Sequence, residues 1–146
     1  MDPETHYRKL ENAYLFAPIT RWYRASIRVG DGVAEMRTRV RPEFFHAAGA
    51  VHGSVYFRAL DDAAFFAANS RVHDVLVLTV SFTVHFTNPV DTGELIAQGR
   101  VVHESGRLFV AESSLHDLEG RLLATGSGTF TRSRIALNEN VGYREA

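Results

Sequence analysis

At 146 residues, the chain has the length of one domain with a single hydrophobic core. Hydrophobic residues make up 45% of it and charged residues 23%, the balance of a soluble globular protein, and the net charge of −1 gives no reason to expect a nucleic acid or an anionic membrane as partner. The absence of cysteine excludes disulfides, thiolate metal sites and a cysteine nucleophile, and it fits a cytoplasmic protein. The acidic start, Met1 to Glu4, has no apolar signal core, and the longest aliphatic run, Val75 to Val80, is too short to cross a bilayer.

The first forty residues predict a helix followed by a hairpin. Tyr7, Leu10 and Tyr14 recur at helical spacing, and Pro18 ends the segment. Two strands then flank a Gly-Asp-Gly sequence that is typical of a tight turn. The predicted bounds are residues 4–17 for the helix and 24–29 and 33–40 for the strands.

A second, longer helix is predicted over residues 54–69. Ser54 is the expected N-cap, because its hydroxyl can accept a hydrogen bond from an amide of the first turn. Most of the helix surface is apolar, which predicts that the helix is buried. Asp61 lies in the middle of the apolar side, whereas Asp62 is placed to form an ion pair with Arg58, one turn earlier.

The second half of the chain predicts four consecutive β-strands. In the first of them the even-numbered residues from Leu76 to Phe86 are expected to face one way, and the odd-numbered residues, including Thr79, the other. A hairpin, one buried helix and a meander of four strands predict an α+β domain, with an antiparallel sheet wrapped around the long central helix and an extra N-terminal helix. The predicted strands span residues 75–86, 95–103, 108–116 and 122–130.

We expect a single domain over residues 1–146, because no repeat or linker divides the chain. Its core is expected to cover about residues 25–132. Residues 133–146 are charged and are expected to form a loose C-terminal tail.

The start of the long helix and the carboxylate within it are the features that indicate catalysis. Unpaired backbone N–H groups at a helix N-terminus, such as the one that the segment Val51 to Ser54 opens, can bind a developing oxyanion. A carboxylate on the same helix, Asp61, can act as a base or a nucleophile. A purely structural Asp61 is the alternative, but an isolated buried carboxylate is costly, which favours a functional role. The seven histidines have no metal-ligand spacing, so no metal site and no cofactor are expected.

Several motifs occur in a characteristic order. A loop glycine and an apolar residue precede a His-Gly pair that opens the central helix, and an aspartate follows nine residues after the histidine. An aromatic residue then precedes a proline and a glycine at fixed spacing, followed by a Gly-Arg hairpin and a closing Gly-Xaa-Gly-Thr-Phe strand. The matching residues are Gly49, Val51, His52, Gly53 and Asp61, then Phe86 to Gly93, Gly106-Arg107, and Gly126 to Phe130.

This set resembles the hotdog-fold acyl-CoA thioesterases, specifically the phenylacetic-acid-degradation thioesterase type, over roughly residues 25–132. The chain departs from the family pattern at three positions. Ser54 replaces the second glycine of the helix-opening motif, His46 stands where the family often has Asn or Gln, and Asn88 stands where it often has Arg.

The resemblance implies hydrolysis of an acyl-CoA thioester at a site shared between two subunits. The Gly53 amide would polarise the thioester carbonyl, and Asp61 of the facing subunit would act as base for water or as nucleophile. Thr79 would orient the water, His52 would hold the loop by hydrogen bonds, and His46 would contact the substrate in place of the usual amide. Side chains expected at the substrate are Val51, Ser54, Phe57 and Phe82.

Two other functions remain open at this point. The same fold serves hydratases and dehydratases of acyl thioesters, which pair a histidine with an acidic residue, and it also serves non-catalytic acyl-CoA-binding proteins. The acyl group, the choice between CoA and acyl carrier protein, and the choice between dimer and tetramer are not decided by the residues. We expect at least a homodimer, because open strand edges and a two-subunit site both require a second copy.

Overall fold

The computed structural model describes residues 1–146 as an antiparallel six-stranded sheet that encloses one long helix. The predicted α+β architecture with an extra N-terminal helix is confirmed. None of the helices is long and apolar enough to cross a membrane. The helices are α1 (Pro3–Phe16), α2 (Pro18–Tyr23) and α3 (Gly53–Asn69), and the strands are β1 (Ser26–Gly30), β2 (Val33–Arg39), β3 (Val75–Phe86), β4 (Glu94–Glu104), β5 (Leu108–His116) and β6 (Leu122–Ala136).

The strand order is β1-β2-β4-β5-β6-β3, so the predicted meander of four strands is wrong. Only β4, β5 and β6 form a meander. The strand β3 instead joins the far edge of the sheet beside β6, and β2 pairs with β4. Helix α3 carries the chain from β2 to that far edge, which places the helix across the inner face of the whole sheet.

The N-terminal segment forms two helices rather than one. Pro18 ends α1 as expected, but it also begins α2, because the fixed φ angle of proline suits the first position of a helix. Helix α1 covers the free edge of β1: the Arg8 guanidinium donates to the Val29 carbonyl (2.6 Å), and the Val29 amide donates to the Glu11 carboxylate (2.8 Å). This edge of the sheet is therefore closed within the chain.

A β-bulge divides β3 and overturns the predicted alternation of its side chains. Thr79 pairs with Phe130 of β6 but Ser81 pairs with Thr129, so Val80 is the extra residue. Odd-numbered residues face α3 before the bulge, and even-numbered residues such as Phe82 face it afterwards. The side chains of Leu78 and Val80, 46% and 60% exposed, consequently point outward along the open edge of the sheet.

The C-terminal residues are ordered parts of the fold, so the expected loose tail is wrong. Strand β6 continues six residues beyond its predicted end, to Ala136. After a 3₁₀ turn at Glu139–Val141, the Tyr143 side chain is buried against α1. Its hydroxyl lies 2.7 Å from Nδ1 of the fully buried His6.

Small residues allow α3 to lie directly on the sheet. Gly99 of β4 faces the backbone of Ala63, and a methyl group placed on Gly99 would lie 2.4 Å from the Ala63 carbonyl carbon. On the next strand the Ser113 hydroxyl donates to the Leu60 carbonyl at 2.9 Å, so that sheet and helix are also joined by a hydrogen bond. Any added side-chain volume at this contact must displace main-chain atoms.

We predict that Gly99→Ala destabilises the protein by about 1–3 kcal/mol, because the new methyl group overpacks a backbone contact that cannot relax. Gly106→Ala is the matched control, since no atom lies within 4 Å of a Cβ at that hairpin position. Urea unfolding of the two variants measures the difference. Equal stability of both variants would contradict the close approach of β4 to α3.

His6 joins both ends of the chain to the end of α3. Its Nε2 donates to the Asn69 carbonyl (3.0 Å), and its Nδ1 then accepts from the Tyr143 hydroxyl. Burial lowers the pKa of His6 below its ordinary value of 6.5, and the nearby His73 and Lys9 act in the same direction. The fold therefore favours the neutral imidazole.

We predict that stability declines as the pH falls below about 6.5. Above that pH both folded and unfolded His6 are neutral, so its contribution is complete. At lower pH the unfolded chain binds a proton that the folded His6 resists, and the contribution is lost. Urea unfolding between pH 5 and 8 tests this, and His6→Phe should be less stable at pH 7.5 but less sensitive to acid.

Candidate active site

The N-terminus of α3, which begins at Gly53 and is called the helix mouth below, is held by the loop that precedes it. The Val51 amide donates to the Val90 carbonyl (2.9 Å), and the His52 amide donates to the Phe44 carbonyl (2.8 Å). An isolated β-bridge between Phe45 and Val51 closes the loop. The first turn of α3 therefore has a fixed position relative to the sheet.

His52, not Ser54, is the N-cap of α3. The helix begins one residue earlier than predicted, at Gly53, and Nδ1 of His52 accepts from the Ser54 amide at 3.0 Å. The Ser54 hydroxyl lies 2.9 Å from the same nitrogen. Because Nδ1 is the acceptor, the neutral ring carries its proton on Nε2. The correction arises because an imidazole can cap a helix as a hydroxyl does, and sequence preferences rank hydroxyls first.

One amide at the helix mouth has no partner within the chain. The amides of His52, Ser54 and Val55 are all bonded, to the Phe44 carbonyl, to His52 Nδ1 and to the His52 carbonyl. The Gly53 N–H makes no hydrogen bond and is partly exposed. It is a free donor at the positive end of the helix dipole, where an anionic oxygen is stabilised.

Asp61 lies two turns further along α3 and is half-buried. It lies on the side of the helix that the rest of the chain leaves partly uncovered, which is called the open side below. The Thr79 hydroxyl donates to its Oδ1 at 2.9 Å, because Thr79, like Val77, lies before the bulge and faces the helix. Burial raises the pKa of Asp61 above its ordinary value of 3.8, while the hydrogen bond from Thr79 and the charge of Arg58 oppose the rise. The result is an oriented carboxylate that takes up a proton more readily than an exposed one.

Asp62 has structural partners, as its spacing from Arg58 predicts. The Arg58 Nε donates to Oδ2 at 3.0 Å, and the Tyr14 hydroxyl donates to the same oxygen at 2.7 Å. Burial raises the pKa of Asp62 to about 6 despite these favourable contacts. Arg58 also donates to the Ile19 carbonyl and the Thr20 hydroxyl, so this ion pair fastens α2 to α3.

Aromatic rings flank the open side of α3. Phe57 is 41% exposed and meets Phe82 edge-to-face, with ring centroids 5.6 Å apart. The Phe82 ring is seated over Gly126 and Gly128 of β6, where a Cβ would lie 2.4 Å from it. The Gly-Xaa-Gly motif therefore provides the space that this ring occupies.

The other predicted site residues lie in different surroundings. His46 is exposed, and its Nδ1 accepts from the Ala48 amide at 3.1 Å without a bond to Gly53 or Asp61. Val51 is buried in the main core and faces no open surface. Phe86, which the motif includes but the predicted site does not, has its ring against Gly53. Its position at the end of β3 is visible in the sequence, but its contact with the helix mouth depends on the bulge.

Gly53 and Asp61 are too far apart to act on one atom within a single chain. Eight residues of α-helix separate them by about 12 Å along the axis. No group of three or more His, Asp or Glu residues is arranged so that it could hold a metal ion. A reaction that uses both the amide and the carboxylate therefore requires a second copy of the chain.

A comparison with known families matches the thioesterase superfamily over residues 48–124, more than half of the chain. A thioesterase family protein from Silicibacter pomeroyi superimposes with a TM-score of 0.80 at 26% identity, covering 86% of this chain and 96% of that one. The PaaI protein from the phenylacetic acid degradation operon of Escherichia coli gives a TM-score of 0.80 at 18% identity, covering 90% and 98%. A curated relative from Saccharolobus solfataricus, provisionally named as an esterase, is 28% identical over 110 residues, 74% of this chain and 72% of its own.

Proposed function

The chain belongs to the thioesterase superfamily, and we propose that it hydrolyses an acyl-CoA thioester to a free carboxylic acid and CoA. The observation that carries the proposal is the unpartnered Gly53 amide at the mouth of α3, combined with an oriented carboxylate on the same helix. Together they supply the two elements that thioester hydrolysis needs, a donor for the developing oxyanion and a base for water.

In the proposed reaction the thioester carbonyl oxygen accepts a hydrogen bond from the Gly53 N–H. Asp61 removes a proton from a water molecule as the water oxygen attacks the carbonyl carbon. The tetrahedral intermediate collapses with cleavage of the C–S bond, and the proton passes to the CoA thiolate. Direct attack by Asp61, with a mixed anhydride as intermediate, uses the same geometry and remains the alternative role for this residue.

We infer that the site forms between two copies that meet along β3. The other edge strand, β1, is covered by Arg8 and Glu11 of α1, whereas β3 presents apolar Leu78 and Val80 at an open edge. Pairing of two β3 strands about a two-fold axis would bury these side chains and bring the Asp61 side of one chain toward the α3 mouth of the other. A homodimer is thus the smallest active unit, and a tetramer is compatible with it.

The remaining predicted residues are assigned supporting roles in this proposal. Thr79 fixes the Asp61 carboxylate, and His52 with Ser54 fixes the helix mouth. Phe57 and Phe82 are placed to contact the acyl group, since both border the open side of α3. Val51 acts by holding the loop from the core, and His46 would contact substrate from the exposed loop surface.

We predict that Asp61→Asn lowers kcat by about 10²–10⁴-fold, because the water loses its base. Thr79→Val should shift the acid limb of the pH–rate profile to higher pH, because the lost hydrogen bond favours the ionised carboxylate. Release of free thiol from a panel of acyl-CoAs, followed as a function of pH, measures both the fall in kcat and the shift of the acid limb. Asp62→Asn is the control for the neighbouring carboxylate. If the acid limb of the pH–rate profile disappears in this variant, Asp62 and not Asp61 is the base, and the proposed assignment is wrong. Hydration of an enoyl-CoA without thiol release would instead identify a hydratase.

We predict that Gly53→Pro lowers kcat by about 10²–10³-fold by deleting the N–H donor. Proline suits the first helical position, and the extended His52 backbone (ψ 143°) suits a following proline. Gly53→Ala adds a Cβ at the same place, 3.1 Å from the Phe86 ring, but keeps the N–H. It should therefore retain most of the activity.

Mixing the two inactive chains tests the shared site. In a heterodimer of Asp61→Asn and Gly53→Pro chains, one of the two sites has both an intact amide and an intact carboxylate. Random exchange should restore about a quarter of the wild-type rate. No recovery, with heterodimers shown by mass spectrometry, would place both groups in the site of one chain and refute the interface.

A further inference from the structure

An exposed aromatic and basic surface lies where α2 meets the end of β2. Trp22, the single tryptophan of the chain, is 52% exposed. Tyr23 and Phe44 pack against it, with centroids 4.8 Å and 5.6 Å away, and Arg41 donates to its carbonyl. The Arg41 guanidinium also lies over the indole, 5.7 Å from its centroid, so the ring is held in place while about half of its surface stays exposed. We call this surface the Trp22 corner, comprising Trp22, Arg21, Arg24 and Arg39.

The three arginines of the Trp22 corner have no partner in the chain. Arg21 and Arg24 flank the tryptophan in sequence, and the backbone of Arg39 directly follows Thr38, whose hydroxyl donates to the Tyr23 carbonyl at 2.6 Å. None of the three forms an ion pair or side-chain hydrogen bond, whereas most other arginines do. The carboxylates nearby are already engaged: Glu43 with Arg41, and Glu94 with Arg37.

The backbone of Arg24 provides an independent reason to assign function to this corner. Arg24 ends α2 with φ 54° and ψ 41°, and it is the only non-glycine residue of the chain in the left-handed region. Glycine is the usual residue at such a helix end, because any Cβ is strained there. No hydrogen bond or ion pair of the Arg24 side chain within the chain offsets this strain.

The Trp22 corner adjoins the helix mouth. Phe44, which packs on the indole, accepts the hydrogen bond of the His52 amide through its carbonyl, and Gly53 follows directly. One aromatic residue therefore separates the exposed indole from the loop that presents the free amide. The part of the thiol carrier that extends from a thioester bound at Gly53 would therefore lie next to this surface.

Resting on the thioesterase function proposed above, we propose that the Trp22 corner binds the nucleotide end of CoA. The adenine ring stacks on the exposed part of the Trp22 ring, and the phosphate groups accept hydrogen bonds from Arg24, Arg39 and Arg21. The Trp22 indole matches the planar base of a nucleotide, and the arginine guanidinium groups match its phosphates in charge and hydrogen-bonding geometry. The carrier of the acyl group is then CoA rather than an acyl carrier protein.

The single tryptophan makes binding observable without turnover. Excitation at 295 nm reports Trp22 alone, and CoA or adenosine 3′,5′-bisphosphate should quench its emission saturably. Arg24→Ala and Arg39→Ala should each raise the Kd about two- to five-fold, as expected for exposed charge pairs. Arg107→Ala is the matched control, since Arg107 is also exposed and unpaired but lies in the β4–β5 hairpin, which the Arg71–Glu104 ion pair joins to the other end of α3. It should leave the Kd unchanged.

Two further variants separate ligand binding from folding. Arg24→Gly should weaken nucleotide binding but raise Tm by about 3 °C, because it relieves the left-handed strain. Trp22→Ala should raise the KM for acyl-CoA about ten-fold, without changing kcat or the KM for the same acyl group on pantetheine. A role for Arg24 in folding alone predicts the opposite, a lower Tm with unchanged binding.

The failure of each proposal gives a different result. Turnover of acyl-CoA with no quenching by either nucleotide would overturn the Trp22 corner and leave the thioesterase function standing. Quenching that Arg107→Ala weakens as much as Arg24→Ala would also overturn it, because the effect would then be general charge attraction. Saturable, Arg24-dependent quenching in a protein that releases no thiol would support the nucleotide site and refute the hydrolase.

Discussion

The burial of α3 on the sheet is the constraint on which the rest of the structure depends. The contact is close because small residues face each other, Ala63 and Ala64 on the helix and Gly99 on β4, with the Ser113 hydroxyl bonded to a helix carbonyl. A helix held this closely cannot shift or rotate without main-chain collisions. Its free first amide and its one open side therefore have fixed positions, as a preorganised site requires.

The bulge at Val80 connects this packing to the candidate site. Thr79 faces the Asp61 carboxylate before the bulge, and the extra residue lets Phe82 face the same way after it, with its ring over Gly126 and Gly128. The same extra residue sends apolar side chains outward at the strand edge. One local irregularity thus places Thr79 and Phe82 on the same side of the strand and leaves Val80 exposed at the edge where a second copy is proposed to pair.

The sequence predicts the fold class, the central helix and most strand bounds, because these follow from strong hydrophobic periodicity and from a resemblance that extends over most of the chain. It fails where a choice depends on tertiary contact. The cap at His52 requires the imidazole to be placed by a loop, and the Val80 bulge requires knowledge of the β6 partner. The ordered C-terminus depends on Tyr143 meeting the buried His6 at the opposite end of the chain. No local pattern records these contacts.

One edge of the sheet, at β1, is covered by α1, and the other, at β3, is open, which limits how copies of the chain can assemble. A sheet with two open borders can add strands without limit, whereas a sheet with one sealed border stops growing after a single pairing event. Arg8 and Glu11 occupy the main-chain groups of Val29 that an incoming strand would need. The N-terminal helix therefore closes this border of the sheet, so that the proposed pairing along β3 would end with two chains instead of continuing as a fibre.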